Sequence, residues 1–246
     1  MEFDIVIIGG GIAGASLGAA IAGRRRALIV EAEDQCGYHS TGRSAAFFLE
    51  SYGGAEVARL NAASGPMLAA PPPDFAEHGF LSRRGAIHLS NDAWPELPAG
   101  VAAERLDRAA LECLVPGLRP MWVRGLFEPG CSDIDVARLH ASFLRRFKRS
   151  GGTLQTAARM TGARRGGGLW RIELADGTAL HSRVLVNAAG AWADRVAASC
   201  GVEPLGFTPL RRTMVQLRVG HSGLAGLPLV NDSNGQFYFK GEGDCS

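Results

Sequence analysis

Cysteine is sparse and its placement is informative. The five thiols, Cys36, Cys113, Cys131, Cys200 and Cys245, form no C-x-x-C pair, and their number is odd. That argues against a disulfide framework and against a structural zinc site. The six histidines show no H-x-x-x-H spacing and no Cys/His cluster, so no metal is expected. No apolar run approaches the roughly 20 residues that span a bilayer. A basic leader is missing too: the chain starts Met-Glu-Phe-Asp, acidic where a signal peptide is basic. A soluble, cytoplasmic protein is the expectation. Strong charge of one sign is also absent. The net charge is +2, and the basic runs at Arg24–Arg26, Arg145–Arg149 and Arg164–Arg165 are short. They read as solvated faces, so no nucleic-acid partner is expected.

What is present is a βαβ pattern at the start. Phe3–Ile8 is β-branched and nearly uncharged, as a buried strand is. Ile12 to Gly23 is rich in small residues and reads as a helix, and Ala27–Glu31 as a second buried strand. Parallel pairing with a right-handed crossover follows. Beyond this unit, Gly37–Arg43 reads as a loop, a new helix is expected from Ser44, and Phe80–Ser90 reads as a strand pair. Asp135 looks like an N-cap, with Val136, Leu139, His140, Phe143, Leu144 and Phe147 on one helical face behind it, closed by Gly151-Gly152. His140 reads as a satisfied core residue, and Trp94, Trp122 and Trp170 as core. Strands are expected near Thr153–Gln155, Leu169–Leu174, Val184–Asn187, Leu210–Val219 and Gln236–Lys240.

Between the first strand and helix stands Gly9-Gly10-Gly11-Ile12-Ala13-Gly14. It fits G-x-G-x-x-G in the context that gives the motif meaning, a strand before and a helix after. Gly9 permits the tight turn, Gly11 lets the backbone approach a pyrophosphate, and Gly14 lets helix and strand pack closely. Ile12 and Ala13 open the helix, whose N-terminus favours phosphate. Glu31, with Ala32 beside it, ends the second strand about twenty residues later, where a ribose-binding acid belongs. Its charge disfavours a 2′-phosphate and hence NADP.

The glycines do not choose between FAD and NAD. The loop Gly37-Tyr-His-Ser-Thr-Gly-Arg-Ser-Ala-Ala46 favours FAD, because it offers further donors, including His39, to a long diphosphate cofactor. At this loop the chain resembles the D-amino-acid oxidase superfamily of flavoproteins, and within it most resembles bacterial FAD-dependent D-amino acid dehydrogenases of the D-arginine dehydrogenase type. The stretches that carry the likeness are GGGIAGAS (9–16), GYHSTGRSAA (37–46), VLVNAAGAW (184–192), PLGFTPLRR (204–212) and FYFK (237–240), in the family's order.

The resemblance implies an α/β fold: a Rossmann-like, discontinuous FAD-binding domain (1–82 and 136–203) and a mixed α+β substrate domain (83–135 and 204–246). It implies FAD lined by Ser40, Thr41, Arg43, Ser44, Ala45 and Ala46, with Met160 at the adenine end. Ala188, Gly190 and Trp192 would stand at the close of the NAAGAW turn. Tyr52, Arg212 and Tyr238 match positions facing the substrate. The implied reaction oxidises the CH–NH bond of a D-amino acid or related small amine by hydride transfer to flavin N5, with an unknown electron acceptor. A glycine- or sarcosine-type oxidase is the alternative. Two residues depart from the D-arginine type: Phe47 stands for a histidine and Ala86 for the glutamate that pairs with a cationic substrate. Family members continue beyond FYFK, so the substrate domain is expected to be incomplete and C-terminally truncated, and an inactive nucleotide-binding fragment is the further alternative.

Overall fold

The computed structural model describes residues 2–220 and 223–241. In chain order the elements begin with β1 (Glu2–Ile8), α1 (Ile12–Ile21), β2 (Ala27–Val30), β3 (Phe47–Phe48), α2 (Gly54–Ala69), β4 (Leu81–Arg83) and β5 (Ala86–Ser90). There follow β6 (Glu104–Leu106), α3 (Arg108–Leu114), β7 (Arg124–Glu128), β8 (Ser132–Ile134), α4 (Val136–Arg149) and β9 (Thr153–Gln155). The rest are β10 (Met160–Gly166), β11 (Leu169–Leu174), β12 (Ala179–Asn187), α5 (Ala193–Ser199), β13 (Leu229–Asp232) and β14 (Tyr238–Phe239). The chain divides into two compact units. The first holds 1–45, 74–76 and 136–213; the second holds 46–73, 77–135 and 214–246.

A six-stranded sheet, in the order β10-β11-β12-β1-β2-β9, organises the first unit. β1 pairs in parallel with both β12 and β2, and β2 with β9. Such strands are buried on both faces, which explains the apolar run Ile5–Ile8 of β1 and that of β2. Val6, Ile8, Leu28 and Val30 point to one face, with Ile172 and Leu180. Ile7, Ala27 and Ile29 point to the other, with Phe147 of α4 and Leu17 of α1. α1 buries Gly14, Ala15, Gly18 and Ala19. Its close seat needs them: a Cβ on Gly18 would lie 2.9 Å from Ile29 Cδ1 and 3.0 Å from Phe147.

The second unit carries a five-stranded mixed sheet, β14-β13-β5-β7-β6, and a three-stranded antiparallel one, β3-β8-β4. One face of the larger sheet packs Ile87, Leu89 and Val230 under Leu111 of α3. The opposite face places Ala86 and Leu229 with Leu49 and Cys131. Mixed parallel and antiparallel pairing in α/β units is the fold class the sequence implied.

Several local expectations are corrected. No helix starts at Ser44; residues 44–46 are irregular and lead into β3, and α2 starts only at Gly54. The preceding loop closes on itself instead, through Gly42 N–H to Gly37 O (2.7 Å) and Arg43 N–H to His39 O (3.1 Å). The strand pair expected over Phe80–Ser90 is present as β4 and β5, which lie in different sheets. The Arg84 and Gly85 amides both bond Cys131 O, Gly85 takes φ +80°, and the chain switches sheets there. Leu210–Val219 has strand-forming residues and forms no strand. A strand exists only when its amides and carbonyls meet a neighbour, and among the described residues none pairs with this stretch, where Leu210 is 80% and Leu217 77% exposed. The first unit's opening segment is 1–45, and β3 pairs with β8 within the second unit. Trp94, Trp122 and Trp170 are half-buried, and Trp122 and Trp170 pack against the two units' core clusters. The four described cysteines are free, and Cys245 lies outside the described residues.

Candidate functional site

The glycine turn is built by close approach. Gly9 sits at φ +108°, a region that L side chains avoid, and a Cβ there would overlap Ala188 O. A Cβ on Gly14 would overlap Gly9 O. The turn is suspended between two strands: Gly9 N–H donates to Val30 O (2.8 Å) and Ala188 N–H to Ile8 O (2.8 Å).

Side chains then fix the turn's polar groups. Glu31 Oε2 accepts the Gly10 N–H (2.8 Å) and its Oε1 accepts the Glu33 N–H (3.0 Å). Thr41 Oγ1 accepts the Ile12 N–H at the mouth of α1 (3.0 Å). The helix N-terminus is therefore not bare: one donor is held by a hydroxyl whose own proton stays free to point at an anion. Asn187 braces the end of β12, with Oδ1 accepting from Ala189 N–H (3.2 Å) and Nδ2 donating to Ala193 O (2.7 Å).

These elements border a cleft of about 500 Å³ within the first unit. Of the residues expected to hold the cofactor, Gly9, Gly11, Glu31, Ala32, His39, Ser40, Thr41, Met160, Ala188, Gly190 and Trp192 line it. Ile12, Ala13 and Gly14 lie just behind, in α1. Arg43 stands apart from this wall, its guanidinium 5.1 Å from the Tyr38 ring centroid. Ser44 and Ala45 close the segment, and Ala46 opens the second unit. His39 Nε2 meets Glu33 Oε1 at 2.9 Å, and its ring lies 4.5 Å from Trp192. Sequence reasoning missed Tyr38, Arg159 and Arg195, which also line the cleft. Tyr38 stands in the Gly37–Ala46 loop and Arg159 beside Met160, so their neighbours marked the region, while Arg195 is brought to the cleft only by the fold.

Cys36 lies against Gly10. Burial pushes its thiol up to about 11, the Glu31 charge adds to this and Lys148 opposes it, so the group is a neutral thiol at physiological pH.

In the second unit Tyr52 is 59% exposed, and Tyr238 packs edge-on to Phe47 with centroids 5.8 Å apart. Phe47 and Tyr238 both pack against the cluster of Leu49, Cys131, Leu229 and fully buried Ala86. Arg212 lies in the exposed 203–219 stretch, among the last residues of the first unit. Sequence reasoning missed a buried polar cluster in the second unit. Glu128 is 1% exposed; His88 Nε2 lies 3.0 Å from its Oε2, which also accepts Ser51 Oγ–H at 2.7 Å. Burial raises the Glu128 pKa, but the His88 and Ser51 hydrogen bonds outweigh it and hold the carboxyl below its ordinary range.

The cleft's donors fit a dinucleotide cofactor: glycines without side chains at the approach, hydroxyls at a helix N-terminus and an acid at the end of the second strand. Comparison with known proteins agrees. The chain is 29% identical over 211 residues to the aerobic glycerol-3-phosphate dehydrogenase of Escherichia coli (strain K12), covering 77% of this chain and 41% of that protein. It is also 29% identical, over 209 residues, to the glycerol-3-phosphate dehydrogenase of Pseudomonas tolaasii, covering 77% and 40%. The chain thus spans about two fifths of the length of these curated relatives. Among solved structures, glycine oxidase from Geobacillus kaustophilus superposes with a TM-score of 0.72 at 18% identity, over 95% of this chain and 66% of that one. The FAD-bound L-alpha-glycerophosphate oxidase from Mycoplasma pneumoniae gives 0.71 at 14%, over 82% and 57%. The model of the FAD dependent oxidoreductase (DAO) family matches residues 4–244; the chain belongs to that family, and its cofactor is FAD.

Proposed function

We propose that this protein oxidises the CH–NH bond of a small, apolar D-amino acid or a related amine. The observation that supports the reading is the half-buried aromatic pair Phe47 and Tyr238, packed against the apolar cluster of Leu49, Ala86, Cys131 and Leu229 in the second unit. FAD, when bound, supplies the two-electron acceptor. Glu31 would hold the adenosine ribose, while Gly11, Thr41 and Ser40 would hold the diphosphate. Tyr52 and Tyr238 would orient the substrate, and neither is assigned as a base. A guanidinium such as Arg212 matches a carboxylate bidentately.

A cationic side chain brought out of water needs a carboxylate partner. Ala86 offers none. The nearby acid is Glu128, directly across from Ala86 in the β5–β7 register, and it is already bonded to His88 and Ser51. The preference is therefore for apolar D-amino acids over D-arginine. A second reading, oxidation of a hydroxyl on a glycerol-phosphate-like substrate, is favoured by the 29% identical dehydrogenases.

Anaerobic bleaching of the flavin separates the two. The full-length protein from the source gene is mixed in turn with D-methionine, D-leucine, D-arginine, glycine, sarcosine and glycerol 3-phosphate. Bleaching by apolar D-amino acids ahead of D-arginine is expected. Bleaching by glycerol 3-phosphate alone overturns the amine reading, and bleaching by glycine or sarcosine alone moves it to the corresponding oxidase type.

A further inference from the structure

The glycine turn has one further attachment, and it comes from the far side of the chain. His140, on the inner face of α4 and 8% exposed, places Nε2 2.8 Å from Gly10 O. A carbonyl oxygen only accepts, so the imidazole donates, and the proton must sit on Nε2. The same ring abuts the second cofactor loop: a Cβ on Gly37 would lie 2.9 Å from His140 Cε1 and 3.1 Å from Nδ1. One side chain thus touches both loops that wall the cleft.

The geometry points to His140 as a positioning residue for FAD: its Nε2–H fixes the Gly10 peptide while its ring sets the seat of the Gly37 loop, so that the two loops are pre-formed for the diphosphate. Three facts support this. First, Gly10 is held at both ends of its polar complement, its N–H by Glu31 and its carbonyl by His140. A residue with both groups bonded does not rotate freely, and the neighbouring Gly11 lines the cleft. Second, glycine is the residue that loses most conformational freedom on ordering, and three stand in a row here. Holding them ordered before the ligand arrives lowers the cost of binding. Third, the ring that bonds Gly10 also abuts Gly37, so a single side chain, 130 residues from Gly10 in sequence, spans both loops of the cleft. His140 acts through Gly10 and Gly37 rather than by touching the flavin.

The test compares His140→Phe, which keeps a ring and removes the donor, with His140→Gln, which keeps a side-chain N–H. FAD is stripped from the full-length protein, and its dissociation constant is measured by flavin fluorescence at fixed salt. Thermal unfolding of the apoprotein is measured alongside. Loss of one buried hydrogen bond corresponds to roughly tenfold, so His140→Phe is expected to weaken FAD about tenfold and His140→Gln to recover most of it. Amide exchange should quicken in the peptide containing residues 9–14 of the His140→Phe apoprotein and stay unchanged in β10–β11. Unchanged FAD affinity in folded His140→Phe, or equal weakening in both variants, overturns the proposal and leaves His140 as packing. Should neither variant fold, nitrogen shifts of His140 in the wild-type protein decide: an Nε2 without a proton overturns it. A wild-type protein that takes up no FAD at all overturns the cofactor assignment first, and this inference with it.

Discussion

The two units use their polar side chains differently. In the first, Glu31, Thr41, His140 and Asn187 all bond main-chain groups, and those groups belong to the glycine turn and the strand ends around it. In the second, His88, Glu128 and Ser51 bond chiefly one another, and Arg84 and Lys240 share Asp133, with Arg84 also donating to Ala225 O and Leu227 O. The first arrangement holds a loop in the shape a ligand needs. The second neutralises charge inside a sheet and holds its layers in register. The backbone-bound side chains stand around the cleft, while the buried His88–Glu128 pair serves as scaffold.

The largest effect expected from this contrast lies in the scaffold. Glu128→Ala leaves His88 buried without its partner and should cost about 3–5 kcal/mol of stability. Unfolding by urea, read against flavin content, checks it. The loss should appear in the midpoint while the remaining folded protein still carries FAD; a folded variant stripped of flavin would break the contrast.

Gly14→Ala is the counterpart in the first unit. Its Cβ would overlap Gly9 O, so α1 must shift, at about 1–3 kcal/mol for overpacking. Here the flavin absorbance should disappear from the purified protein even where circular dichroism stays native. Full flavin occupancy would show that the turn is not the seat.

Glu31→Ala should weaken FAD by about 1–3 kcal/mol, because two backbone donors and the ribose hydroxyls lose their acceptor. Titration of the apoprotein with FAD measures it, and an unchanged dissociation constant would place Glu31 outside the site.

The smallest effect is a pH dependence. The Glu128 carboxyl is held below its ordinary range, so it binds protons less readily folded than unfolded. Its contribution to stability is full above the unfolded carboxyl value and fades as pH falls through the lowered folded value. Acid unfolding should therefore be flatter in Glu128→Gln, and equal slopes would remove the pair from the acid response.

The first unit was the more legible in sequence, for a physical reason. Strand, glycines, helix, strand and acid stand within residues 3–31, and each is specified by its neighbours in the chain. The second unit's sheet order, β14-β13-β5-β7-β6, joins segments more than a hundred residues apart, and no local pattern encodes such pairing. The same limit hid the partners of His140. Its place on an apolar helix face was visible; its contact with Gly10 was not. At Ser44 the small, polar residues suggested a helix start, and pairing of Phe47 with Asp133 in β8 prevailed. Leu210–Val219 shows the converse, β-forming residues with no ladder to join.

The central place of β1 has a consequence in time. It leaves the ribosome well before its partners, and one of its two edges waits for β12, whose last paired residue is Asn187. At about 5–20 residues per second, that partner emerges roughly 10–35 seconds later. Through that interval the nascent chain exposes an apolar, half-paired strand, and neither His140 nor Ala188 is yet in place behind the glycine turn. FAD can therefore find its finished seat only after most of the first unit has been made, which ties cofactor loading to the late stage of that unit's synthesis.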